Sequence, residues 1–283
     1  MPEPKPVRVA AVQMEPRLGD LDANLKAILG RFREATAAGA RLVVFPECAL
    51  TGYAFESKDE AMTCSETVPG PSTKEVAAAC AEAGAFAVYG LLERDGDVFY
   101  NCAALVGPEG LIAAYRKVHL PFMGADRFAE PGGRPFAVHE AAGLRVGMHI
   151  CYDGTFPEVG RVLTLLGAEV LVLPTNWPSQ ATTTAEHVPA ARAIENVVYV
   201  MAVDRVGVER GCLFAGRSSI AGPGGEILAQ AGPDAEEILY ADVDPALARR
   251  KRIVRVPGKQ EVDRIADRRP SFYGPIVAPG GKD

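Results

Sequence analysis

Apolar residues in this chain run in two periods, and the switch between them marks the elements. Residues 7–14 are a nearly unbroken apolar run, which predicts a buried strand. Leu21, Leu25, Ile28, Leu29 and Phe32 then recur at helical spacing over residues 21–38. Asp20 or Asp22 can cap that helix, and Gly39 fits its stop. Residues 41–45 predict a second buried strand. Pro71 opens a helix through Ala83, and Gly84 ends it. Residues 85–93 and 100–107 predict a strand pair joined through Arg94-Asp95-Gly96-Asp97, and residues 111–115 extend the meander.

The second half repeats this pattern loosely. Strands are predicted over residues 144–150, 168–173 and 197–204, with helices over 157–166 and 182–196 between them. A β-rich stretch follows, with a turn at Gly222-Pro223-Gly224-Gly225. From about Asp244 the chain is charged and carries prolines, and it reads as a C-terminal arm. Residues 1–6 read as a disordered lead-in and 271–283 as a tail. No linker divides residues 7–270, so one domain is expected. Strands mixed with helices imply an α/β fold with mixed sheets.

Composition narrows the function more than the fold. The 283 residues are 48% hydrophobic and 23% charged, ordinary for a globular protein. A net charge of −6 argues against nucleic acid or an anionic membrane as partner. Arg249-Arg250-Lys251-Arg252, the one basic run, reads as a solvated helix face or a subunit contact. No apolar stretch approaches the ~18 residues of a membrane span, and no signal peptide opens the chain. Six scattered cysteines without paired spacing suit a reducing, cytoplasmic setting.

Three motifs place reactive side chains at the ends of apolar runs: Phe45-Pro46-Glu47, Arg116-Lys117-Val118-His119-Leu120 and Ile150-Cys151-Tyr152-Asp153. Strand ends hold side chains rigidly while letting them reach a cleft. A carboxylate, an ammonium and a thiol gathered there supply a base, an oxyanion stabiliser and a nucleophile. Each also has a plainer reading, as a strand-end carboxylate in solvent, a surface lysine and a buried structural cysteine.

Taken in this order, the motifs resemble those of the carbon–nitrogen hydrolase (nitrilase) superfamily. The resemblance runs from Val7-Arg8-Val9-Ala10-Ala11-Val12-Gln13 to Asp267-Arg268-Arg269-Pro270. It implies an α-β-β-α sandwich, a homodimer or an assembly of dimers, and no cofactor or metal. It implies Glu47 as general base, Lys117 as oxyanion stabiliser and activator of the thiol, and Cys151 as nucleophile. The backbone N–H of Tyr152 would complete the oxyanion site, and Tyr53, in Thr51-Gly52-Tyr53, would line the pocket. Asn176 and Trp177, after the strand of residues 168–173, are expected at the substrate wall. Many members carry a second glutamate after the lysine; here Asp126 lies nearest that position and Glu130 is the alternative. His119 and the Arg192/Glu195 pair are expected to be structural.

The favoured activity is an amidase releasing ammonia from a small-molecule carboxamide. Cys151-Tyr152-Asp153 resembles the amide-cleaving branches, whereas nitrile-cleaving branches usually show Cys-Trp-Glu. An N-carbamoyl amidohydrolase is the alternative, and a true nitrilase the next. A papain-like enzyme would need a histidine partner: His149 is expected to face away from Cys151, and His187 stays open. A metal site has only His149-x-Cys151 as a close ligand pair. A catalytically dead scaffold protein would be expected to lack the cysteine.

Overall fold

The computed structural model describes residues 5–278. Most of the expected lead-in (1–4) and the end of the expected tail (279–283) lie outside the described residues.

The first half supplies β1 (Val7–Gln13), α1 (Leu21–Ala37), β2 (Leu42–Val44), α2 (Lys58–Thr63), α3 (Pro71–Ala83), β3 (Phe86–Asp95), β4 (Val98–Gly107) and β5 (Gly110–Arg116). Local signals set most of these bounds. The Asp20 carboxylate accepts the N–H of Ala23 at the start of α1. Gly84, in the left-handed region, stops α3. The helix α2 was not expected: it is one and a half turns long, carries no apolar stripe, and buries only Ala61.

The second half supplies β6 (Val138–Ala141), β7 (Leu144–Met148), α4 (Pro157–Leu165), β8 (Val170–Thr175), α5 (Thr182–Asn196) and β9 (Tyr199–Asp204). A small hairpin, β10 (Val208–Glu209) and β11 (Cys212–Leu213), precedes β12 (Ser219–Ala221), β13 (Ile227–Gln230) and β14 (Glu237–Val243). The arm holds α6 (Pro245–Arg249), the hairpin β15 (Arg252–Val256) and β16 (Gln260–Asp263), and α7 (Gly274–Val277).

Two six-stranded sheets result, in the orders β14-β1-β2-β3-β4-β5 and β13-β12-β9-β8-β7-β6. Each has three parallel strands side by side, β1-β2-β3 in one and β7-β8-β9 in the other. The loose repeat seen in the letters is therefore a repeat of topology. The strand β14 breaks it by returning from the second half to pair with β1.

Strand alternation builds the layers. Val9 and Ala11 of β1 join Val146, Val172 and Met201 in a core between the sheets. Ala10 and Val12 face the other way, onto Ile28 and Phe32 of α1 and Val76 of α3. On the far side, Leu171 and Val200 pack on Val159 and Leu163 of α4 and Ala193 of α5. The fold is an α-β-β-α sandwich.

Arg249, Arg250 and Arg252 of the basic run are exposed, as a solvated face would be, but the run is also tied down. Arg249 Nε meets Glu169 at 2.5 Å, and Lys251 Nζ donates to the Asn196 and Val197 carbonyls at 3.2 and 2.8 Å. These are terminal carbonyls of α5, so the run fastens the arm to the second half.

Candidate active site

Sequence-distant side chains converge where the sheet ends meet. Glu47 follows β2, Lys117 follows β5, and Cys151 follows β7. Glu47 and Lys117 are wholly buried and Cys151 nearly so. Lys117 Nζ lies 2.7 Å from Glu47 Oε1 and 2.6 Å from Asp126 Oδ2. A short 3-10 turn over Gly124–Arg127 carries Asp126 inward, whereas Glu130 is exposed. The shorter carboxylate reaches the lysine because the loop itself dips. Gly124 permits this approach, since a Cβ there would lie 2.5 Å from the Tyr53 ring.

Tyr53 OH donates to Asp126 Oδ2 at 2.8 Å, and the Met123 carbonyl, at 3.1 Å, is a second acceptor for the same proton. The Tyr53 loop is held from the second half of the chain: Glu209 accepts the N–H groups of Tyr53 and Ala54 at 2.8 and 2.6 Å. Arg205, itself buried, pairs with Glu209 at 2.6 Å. Gly90 lies behind Glu47, where a Cβ would come within 2.3 Å of the Cys48 backbone nitrogen.

Asn101, on β4, was missed in the sequence. Its Nδ2 donates to Glu47 Oε1 at 2.6 Å and to Asp126 Oδ1 at 2.8 Å. An asparagine inside an apolar strand was the available signal, since a buried amide must be paired. Three of the four carboxylate oxygens are thus engaged. Glu47 Oε2 has no hydrogen-bond partner among the described residues.

Cys151 sits in the left-handed region at φ 47°, an uncommon conformation for a residue with a Cβ. Asp153 braces this turn. It accepts the Ile150 N–H at 3.0 Å, the Tyr115 hydroxyl at 2.7 Å and the His119 N–H at 3.0 Å. His119 Nδ1 also meets Asp153 at 2.7 Å, and its ring stacks on Phe156 at 3.9 Å. Arg192 donates to the Gly154 and Thr155 carbonyls at 3.0 and 3.1 Å and meets Glu195 at 3.1 Å.

Burial dominates the electrostatics. It pushes the Cys151 thiol well up, and Glu47 adds to that; Lys117, Thr175 and the Asn176 backbone oppose it without winning. Lys117 does pull the thiol down, as expected of an ammonium beside it, but burial outweighs that pull and the net shift is upward. Burial likewise raises Glu47 against the pull of Lys117. Lys117 stays charged, because Asp126 and Glu47 together outweigh its desolvation.

Tyr152 is partly exposed, with its ring edge-on to Phe156. Trp177 and Asn176 are buried beyond β8, and the Asn176 amide and Trp177 Nε1 have no partner among the described residues. Alternation alone would put residues 149 and 151 on one face, contrary to the expectation for His149. The strand β7 ends at Met148, however, and the turn intervenes. His149 is buried with neither ring nitrogen bonded, and His187 is exposed. No group of metal-ligating side chains occurs among the described residues.

The carbon–nitrogen hydrolase family profile matches residues 8–253. The chain belongs to the carbon–nitrogen hydrolase family. It is a hydrolase of non-peptide carbon–nitrogen bonds. Among family relatives, a protein named nitrilase from Pyrococcus abyssi is 40% identical, covering 94% of this chain and 99% of its own length. An (R)-stereoselective amidase from Pseudomonas sp is 34% identical, covering 95% of this chain and 93% of its own. The omega-amidase NIT2 of Bos taurus is 31% identical over 88% of this chain and 91% of its own. The solved structure of an amidase from Nesterenkonia sp. shares the fold, with a TM-score of 0.80 at 24% identity, over 96% of this chain and 97% of that one.

Proposed function

We propose that this carbon–nitrogen hydrolase is a thiol-dependent amidase acting on a small-molecule carboxamide. The reading rests on one observation above others. A buried carboxylate with one open oxygen, Glu47 Oε2, is paired with a charged lysine, and both lie close enough to Cys151 to act on its thiol.

A neutral thiol must lose its proton to attack, so the base is needed in the first step. Glu47 Oε2 takes the proton as Cys151 Sγ bonds to the amide carbon. The carbonyl oxygen becomes an oxyanion. Lys117 has three N–H donors, and Glu47 and Asp126 occupy two. The third serves the oxyanion together with a backbone N–H, assigned to Tyr152. Protonated Glu47 then hands its proton to the departing nitrogen. Ammonia leaves and a thioester remains on Cys151. Glu47, again ionised, takes a proton from water, whose oxygen attacks the thioester. On collapse the carboxylic acid is released and Glu47 returns its proton to the departing Cys151 Sγ, which restores both the thiol and the base. A carboxyl group raised by burial suits these alternating duties. Asp126, itself bonded by Tyr53, holds the lysine, and Asn176 and Trp177 offer unpartnered polar atoms for the acyl group.

Ammonia release from ω-amides, short aliphatic amides and N-carbamoyl amines tests the reading. Cys151→Ala should lower the rate on the best substrate by several orders of magnitude while circular dichroism stays unchanged. Retention of more than about 5% of parent activity would contradict the assignment, since the attacking atom is gone. A faster N-carbamoyl substrate would favour that alternative. A nitrilase is a second reading, supported by the Pyrococcus abyssi relative's name.

We also propose a homodimer or an assembly of dimers in the cytoplasm. Outward apolar residues on α4 support the first, and six free cysteines, one of them required as a thiol, suit the second.

A further inference from the structure

Asn101 is buried mid-strand, far from solvent. Its backbone carbonyl accepts the Lys117 N–H at 2.8 Å, a contact any residue there could make. Its side chain is different. The amide has two N–H donors, and each is on a different carboxylate, Glu47 Oε1 and Asp126 Oδ1. The amide oxygen faces the Cys48 thiol at 3.8 Å.

Two buried carboxylates around one lysine are a poor electrostatic bargain. Like charges favour protonation of one member, and either could become the base. Asn101 breaks the symmetry between them. Asp126 has both oxygens engaged: Oδ1 takes Asn101, and Oδ2 takes Lys117 and Tyr53. Glu47 is pinned by Oε1 alone, to Asn101 and Lys117. Its other oxygen is the one left without a partner among the described residues.

We propose that Asn101 is a positioning residue of the reaction. It fixes Glu47 by one oxygen, so that the other is free for the thiol proton, and it keeps Asp126 out of proton transfer. The inference rests on the reading of Glu47 as base.

The test uses the full chain and the best amide from the panel, with Cys151→Ala and Glu47→Gln run alongside. Asn101→Ala removes both donors and should lower kcat at least ~100-fold with KM within about threefold, because the lost interaction positions the base rather than the substrate. Asn101→Asp puts a third carboxyl group beside Glu47. The acidic limb of its kcat/KM profile should move up by at least ~1 pH unit. The double variant Asn101→Asp/Asp126→Asn restores the charge count without restoring a donor to Glu47, and it should stay slow.

An Asn101→Ala enzyme with kcat within about threefold of parent and an unshifted profile would overturn the proposal. So would full recovery in the double variant, which would assign Asn101 to charge balance alone. Loss of the fold in all three variants would make Asn101 structural and also overturn it. If Cys151→Ala or Glu47→Gln keeps the parent rate, the proposed reading fails instead; if both are inactive and Asn101→Ala is not, only this inference fails.

Discussion

Burial moves two neighbouring groups in opposite directions. It raises the Cys151 thiol and lowers the His149 imidazole to about 4, because in both cases the charged form loses its water. For the thiol this makes a base necessary. For His149 it makes stability depend on pH. Between about 4 and 6.5 the unfolded chain binds a proton at this histidine that the folded chain refuses. Stability therefore falls as pH falls through that window. Urea unfolding of the parent and of His149→Leu should show the parent losing the extra stability, at up to ~1.4 kcal/mol per pH unit. Parallel curves would mean that His149 does not titrate this way. Glu47, Lys117 and Cys151 were legible as candidates, since each falls at or just past the end of an apolar run. Their partners were harder to see. Asn101 meets Glu47 from 54 positions away, on a different strand, and its own neighbours are apolar. The choice between Asp126 and Glu130 turned on a short 3-10 turn, which leaves no periodic trace.

Helix α4 shows what an apolar stripe does and does not reveal. Val159, Val162, Leu163 and Leu166 read as one outward stripe for a partner. In the structure Val159 and Leu163 face the chain's own second sheet. Val162, Leu165 and Leu166 are the residues that point out, and Ile276 and Val277 of the arm are exposed beside Val162 and Leu165. An apolar surface of this kind favours a partner of the same chain. Light scattering at micromolar concentration should give a dimer or a multiple of it, and Leu165→Asp together with Val162→Asp should shift it toward monomer. A monomeric parent would contradict the proposed assembly. Long elements with a capping or stop signal, such as α1 and α3, could be read closely. Short ones such as α2 and the hairpin β10–β11 could not, because their bonds come from tertiary neighbours rather than local preference.

At the scale of the whole molecule, Glu47 follows a strand of the first sheet and Cys151 a strand of the second, near enough that the carboxylate acts on the thiol. Strand order could not be read from the letters: the return of β14 to β1 spans most of the chain. In the proposed function an amide is cleaved at these residues through a Cys151 thioester. An amide expels ammonia as the thioester forms, using the proton that Glu47 holds. A nitrile would form a thioimidate, whose nitrogen needs further protonation before water attacks. The most direct measurement is ammonia release from an amide and the nitrile of the same carbon skeleton, with Cys151→Ala as blank. Cleavage through the thioester predicts a kcat/KM at least ~10-fold higher for the amide, about 1.4 kcal/mol of transition-state preference. Equal rates, or a faster nitrile, would contradict it.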